Sequence, residues 1–229
     1  MSKSVIFDAG PIISLTTNNL LWIIEKLKER YSGDFLIPKS VEFELVQKPI
    51  ETKKFKLEAL EVNMEINKGN LKVIDNPEIT ALKQELLLMA NSCFKANGKQ
   101  IQIVQDGEMA AVAVALLFES DAIVIDERTT RELIENPEEL AELMSRKLHT
   151  KVEVDKEILK KLNEKLGKLK VIRSVELAVV GYELGLFDKY LTKDKDARKT
   201  LKEAILWGIK IRGASISQEE IDKIVRMEK

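Results

Sequence analysis

Residues 4–15 read SVIFDAGPIISL, and the fold turns on how this stretch is interpreted. Val5, Ile6 and Phe7 form an unbroken apolar run that stops abruptly at Asp8, the pattern of a strand buried on both faces of a parallel sheet. Gly10 permits a sharp turn, Pro11 suits the first turn of a helix, and Ile12, Ile13 and Leu15 start an apolar helical stripe. An acid is thus delivered at the carboxyl end of a strand, where open α/β sheets bind ligands. Asp8 is expected to serve as a helix cap, a functional carboxylate, or both.

The pattern returns further along. Ala122 to Ile125 is again a continuous apolar run, and it ends in Asp126 with Glu127 beside it. Before it, residues 106–118 (DGEMAAVAVALLF) predict a helix almost wholly apolar after Glu108, with Asp106 and Glu108 at its entrance. Carboxylates there complement the helix dipole, which is a structural reason for their presence. Other strands are expected at 35–37, 71–74 and 171–172, with 152–154 as a short edge strand. The intervening segments read as helices: one opening helix running to about Gly33, a brief one over 41–46 closed by Pro49 and carrying Glu42 and Glu44, and one over 51–68. Further helices are expected over 79–94, with Cys93 in its apolar face, from Asn136, over 156–169 and over 174–187. Two more follow a charged linker at 189–196. Strands alternating with helices specify an α/β fold: a central parallel sheet of about five strands in a three-layer α/β/α arrangement, with right-handed crossovers. Residues 1–187 are expected to form the main domain with a helical insertion at about 132–169, and 188–229 a C-terminal helical extension packed on it.

The totals narrow the chemistry. The chain has 229 residues, 45% of them hydrophobic, enough for one substantial core. Lys and Arg number 37 against 38 Asp and Glu, so no global field draws it to a polyanion; a local patch or metal ions must do so. The longest apolar run is too short to span a bilayer and no basic leader precedes an apolar segment, so a cytoplasmic protein is expected. With one cysteine and one histidine (Cys93 and His149), a His/Cys zinc site and a paired-histidine acid and base are both excluded. His149 is expected to have a surface or structural role.

All strands of a parallel sheet end on one side. Asp8 and Asp126 leave that side directly, and Glu44, Asp106 and Glu108 can reach it. Carboxylates gathered there repel by about 4 kcal/mol per pair at 4 Å with an effective dielectric near 20. Such a cluster calls for cations or raised pKa values, and oxygen-only ligands select magnesium or manganese. Ions held in this way activate water and neutralise a phosphodiester, so nucleic-acid cleavage is the expected chemistry.

The order of Asp8, Glu44, the DGE of residues 106–108 before an alanine-rich helix, and the IVIDERTTR of residues 123–131 resembles the PIN-domain nucleases. The resemblance covers most of residues 5–186, and the tail at 175–224 is similar to extensions of archaeal members. It implies a five-stranded parallel sheet that gathers three or four acids around Mg2+ or Mn2+, usually to cleave single-stranded RNA. Many members are VapC-type toxins paired with an antitoxin, and others process ribosomal RNA; a homodimer is also implied. Carried over, Asp8 is the first metal ligand, Glu44 the second, Glu108 or Asp106 the third and Asp126 the fourth, with Glu42 and Glu127 as surface bystanders. Two departures stand out: Ala9 and Gly10 replace the small hydroxyl residue that often follows the first acid, and the 132–169 insertion is longer than compact toxins carry. The alternative is a catalytically inactive PIN-like module that binds RNA or protein. Phosphotransfer folds fail at named positions: Gly10 stands where haloacid-dehalogenase-like phosphatases need a second Asp, and Arg173 and Ser174 stand where receiver domains need a lysine.

Overall fold

A computed structural model describes residues 3–227. The chain opens with β1 (Ser4–Phe7), α1 (Ala9–Thr17), α2 (Ile23–Arg30) and β2 (Asp34–Pro38). One continuous helical run follows: α3 (Lys39–Glu42), a π-helical turn (Phe43–Gln47) and α4 (Lys48–Glu51). Then come α5 (Lys56–Asn67), β3 (Lys72–Ile74), α6 (Pro77–Ser92), the short strands β4 (Phe94–Ala96) and β5 (Lys99–Gln100), α7 (Asp106–Leu117) and β6 (Ala122–Val124). The remainder is α8 (Arg128–Glu135), α9 (Pro137–Leu148), β7 (Val152–Val154), α10 (Lys156–Leu166), β8 (Val171–Ile172), α11 (Ser174–Glu183), a 3-10 turn (Asp188–Tyr190), α12 (Ala197–Ile211) and α13 (Gln218–Arg226).

The main sheet has five strands in the order β3-β2-β1-β6-β8, and every pairing is parallel. Alternate side chains of each strand point to opposite faces, so both faces need cover. Val5, Phe7, Phe35, Ile37 and Val124 enter a core shared with α1, α2, α11 and the two C-terminal helices. Ile6, Leu36, Ile123 and Ile125 enter a second core built with α6, α7, α8, α9 and α10. These are the three layers expected from the unbroken apolar strands. The C-terminal helices belong to the first core through Leu206, Ile209 and Ile221, and Arg173 at the end of β8 ties them down: its guanidinium pairs with Glu176 and Glu220 and donates to the Ser215 carbonyl. No helix among the described residues is long and apolar enough to cross a membrane.

Four local expectations change. The opening helix is two helices, because Asn19 takes a left-handed conformation (φ 56°) and turns the chain between α1 and α2. Asn tolerates that region better than most residues. The corner is tight against α12: a Cβ added to Gly208 would lie 2.9 Å from Asn18 Oδ1. Pro49 does not end the helix that carries Glu44. It sits in the first turn of α4, and the missing N–H is accommodated by a π turn immediately before it, where Lys48 N donates to the Phe43 carbonyl. The helix expected over 79–94 stops at Ser92, since Asn97 and Gly98 both adopt positive φ (52° and 73°) and close a hairpin between β4 and β5. Residues 152–154 do form an edge strand, but of a separate three-stranded sheet in which β7 pairs antiparallel with β4.

Candidate functional site

The carboxyl ends of β1 and β6 place Asp8 and Asp126 side by side. Phe7 is in register with Val124, and Asp8 N donates to the Val124 carbonyl at 3.0 Å. Both acids are buried, at 6% and 5% exposure. A Cβ added to Gly10 would lie 3.5 Å from Asp8 Oδ2 and 3.7 Å from Asp126 Cβ, so this glycine stands beside both acids. Asp8 also accepts a hydrogen bond from Gly10 N at 3.3 Å, which makes it the cap of α1 as well.

Glu44 comes from the π turn and Glu108 from the first turn of α7. Glu44 lies against the N-terminus of α7, where a Cβ on Gly107 would be 3.5 Å from its Oε2. Glu108 accepts from Gln105 N at 3.1 Å in a capping box and from the Thr130 hydroxyl at 2.6 Å. Its own burial is the main reason its carboxyl is held above the usual range, with Glu127 and Glu44 adding to the shift. Burial, with smaller additions from the negative charges of Glu108 and Glu44 and against lowering by the Ala9 and Gly10 amides, pushes Asp8 up to about 7. The charges of Glu44 and Glu108 therefore both act on Asp8, and that of Glu44 acts on Glu108 as well.

Asp106 is directed elsewhere. It is largely exposed and forms an ion pair with Lys83 at 2.7 Å. Of the two acids in the DGE stretch, Glu108 shares the neighbourhood of Asp8 and Asp106 does not. Glu127 is exposed and caps α8 by accepting from Thr130 N at 2.7 Å, while Glu42 pairs with Lys39.

Asp126 is held from two elements. Ser14 Oγ on α1 donates to Oδ2 at 2.7 Å, Ser174 Oγ at the start of α11 donates to the same oxygen at 2.7 Å, and Ser174 N donates to Oδ1 at 2.8 Å. Sequence reasoning missed Ser14, Thr130 and Ser174 as site residues. Ala9 and Gly10 bring no hydroxyl just after Asp8, and Ser14, nearly two helical turns on, brings one to Asp126 from a position marked only by a polar residue inside an apolar stripe. Thr130 and Ser174 carried the weaker signal of a hydroxyl within one turn of a strand-end acid or at a helix start.

The donor set suits a hard divalent cation: every group is a carboxylate or hydroxyl oxygen, and burial with like charges already disfavours the ionised form of Asp8. Among the described residues, no three His, Cys, Asp or Glu side chains are gathered within reach of one ion.

A parallel α/β sheet with carboxylates at the ends of adjacent central strands defines an α/β protein with an acidic strand-end site. The family model described as "DUF3368: PIN domain" matches residues 4–138, more than half of the chain, and the chain belongs to that PIN-domain family. No curated protein matches. Among solved structures the chain is similar to the crystal structure of VapBC2 from Rickettsia felis bound to a DNA fragment from their promoter, with 11% identity over 74% of this chain and 98% of that one, and a TM-score of 0.44.

Proposed function

We propose that the protein is a metal-dependent endoribonuclease that hydrolyses phosphodiester bonds of single-stranded or structured RNA. The observation that carries this reading is Asp8: a buried strand-end carboxyl raised to about 7, on which the acting neighbouring charges are those of Glu108 and Glu44. A cation resolves that electrostatic conflict. Asp8, Glu44, Glu108 and Asp126 are proposed to hold Mg2+ or Mn2+, with Asp106 outside that set and paired with Lys83. Such an ion, when bound, supplies Lewis acidity toward the phosphodiester and a water of lowered pKa. Ser14, Ser174 and Thr130 orient the Asp126 and Glu108 carboxylates. Residues 1–187 are proposed as the nuclease unit and 188–229 as its helical extension. A protein partner would cover the outer stripe of α5, where Leu57 (68% exposed), Leu60 and Met64 face solvent, and the antitoxin implied by the resemblance is the first to test there.

One pair of observations favours the second reading, an inactive PIN-like binding module: both oxygens of Asp126 are already engaged by serine donors, and no three acids converge. Magnesium or manganese titration with end-labelled single-stranded RNA separates the two. The ribonuclease reading expects metal-dependent cleavage that Asp8→Asn removes. RNA binding without cleavage, unchanged in that variant, establishes the binding module.

A further inference from the structure

We infer that the cleft between α8, α9 and the 101–103 loop is the path along which a single-stranded RNA leaves the carboxylates, with Arg128 and Lys147 holding its phosphates. This rests on the ribonuclease reading and deepens it. The chain carries a formal charge of −1, and the charges of Glu44 and Glu108 both act on Asp8, so a polyanion arriving there is repelled unless cationic groups stand alongside.

The cleft has a volume of about 450 Å³, within the range of pockets that accept organic ligands. Glu127 lines the cleft and is linked to the carboxylates through one residue: Thr130 N donates to Glu127, and the Thr130 hydroxyl donates to Glu108 at 2.6 Å. Cleft and site therefore share the first turn of α8. Arg128 and Lys147 line the same cleft. Arg128 is half exposed, with a 3.5 Å contact to Glu132, and Lys147 is exposed with no ion pair among the described residues. Among the residues that line the cleft, two cations stand with one carboxylate, that of Glu127, whose Oε2 is already engaged as a cap, while Glu132 contacts Arg128 from outside the lining. Ile101 and the half-exposed Leu148 give the cleft apolar wall, which suits an unstacked base beside phosphates held by cations.

A second groove, about 330 Å³, is lined in part by Glu44, but there Lys48 and Lys54 are matched by Glu44 and Glu58 and the charge balance gives a polyanion no preference. The α9 wall of the cleft, with Leu143, Met144, Lys147 and Leu148, lies beyond residue 138, where the family match ends.

The test uses the full chain carrying Asp8→Asn, to prevent cleavage, and a 12-nucleotide single-stranded RNA, with DNA of the same sequence in parallel. Each phosphate contact on a single strand contributes about 0.7 to the slope of log affinity against log salt. Arg128→Gln with Lys147→Gln is expected to weaken RNA binding about 25-fold at 0.1 M salt and to reduce that slope by about 1.4. In the active background the same pair is expected to raise KM with kcat little changed. Lys193→Gln with Lys195→Gln, in the exposed linker, serves as a matched control with unchanged binding. RNA binding that is equally tight without the two cations overturns the inference and leaves the ribonuclease reading standing. A parent protein that neither binds nor cleaves RNA overturns both. Binding that favours DNA and falls with the pair overturns the assignment to RNA.

Discussion

Ser174 grips Asp126 with both of its donors: the hydroxyl reaches Oδ2 at 2.7 Å and the backbone N–H reaches Oδ1 at 2.8 Å. The acid at the end of β6 is thereby fixed by the residue that follows β8, the neighbouring strand. Hydrogen bonds to a buried charged group contribute about 1.5–3 kcal/mol, and removing the donor leaves the acceptor underpaired. Ser174→Ala and Ser14→Ala are each expected to destabilise the protein by about 1–2 kcal/mol, read from urea denaturation. Because both hydroxyls serve the same oxygen, the double variant is expected to depart from additivity by at least about 0.5 kcal/mol.

Asp106 and Glu108 stand two residues apart with different surroundings. Asp106 is paired with Lys83 near the surface, and Glu108 faces Asp8 and Glu44. Glu108→Gln is expected to lower RNA cleavage by about 100-fold or more, while Asp106→Asn stays within a few-fold of the parent, measured as kcat/KM at saturating Mn2+. Equal losses in the two variants would place both acids at the metal.

The fully buried Thr130 hydroxyl favours the ionised form of Glu108. Thr130→Val removes that bond at nearly constant volume. With Glu108 acting as a carboxylate, as proposed, the acid limb of the pH–rate profile is expected to move to higher pH, and Thr130→Ser is expected to restore it. A pH profile unchanged in Thr130→Val would assign the threonine to packing alone.

Asp8 makes the metal-free protein sensitive to pH in an unusual direction. Its proton is held more tightly in the folded state, at about 7, than at the ordinary value of 3.8. The stability that this proton confers is complete below about pH 4, declines as the pH rises through the window, and is lost above about 7. The change is at most about 4 kcal/mol. Metal-free protein is therefore expected to melt at lower temperature at pH 8 than at pH 5, and Asp8→Asn is expected to flatten this dependence. A pH-independent melting temperature in the parent would remove the electrostatic conflict at Asp8.

The strand ends were readable because a two-faced parallel strand needs a continuous apolar run, and an acid that interrupts it is conspicuous: Asp8 and Asp126 stand out for that reason alone. The register that sets them side by side was not readable, since it depends on pairing between segments more than 110 residues apart. Nor were the supports. Ser14 lies inside a helix and Ser174 belongs to another strand–helix junction, so nothing local ties either to Asp126. The direction of Asp106 depends on Lys83, which α6 brings up from 23 residues earlier. Asn97 and Gly98 carried a turn signal, yet the apolar residues before them read equally well as a longer helix. The π turn around Glu44 follows from Pro49, which read more simply as a helix terminator.

Calorimetric titration of Mn2+ into the metal-free protein at pH 6.5, in two buffers of different ionisation enthalpy, tests most directly whether these acids share an ion. Binding with release of up to one proton per ion is expected, the proton coming chiefly from Asp8, and both binding and release are expected to be lost in Asp8→Asn. Absence of Mn2+ binding in the parent, or binding that persists unchanged in Asp8→Asn, would contradict a metal centre built on this strand end.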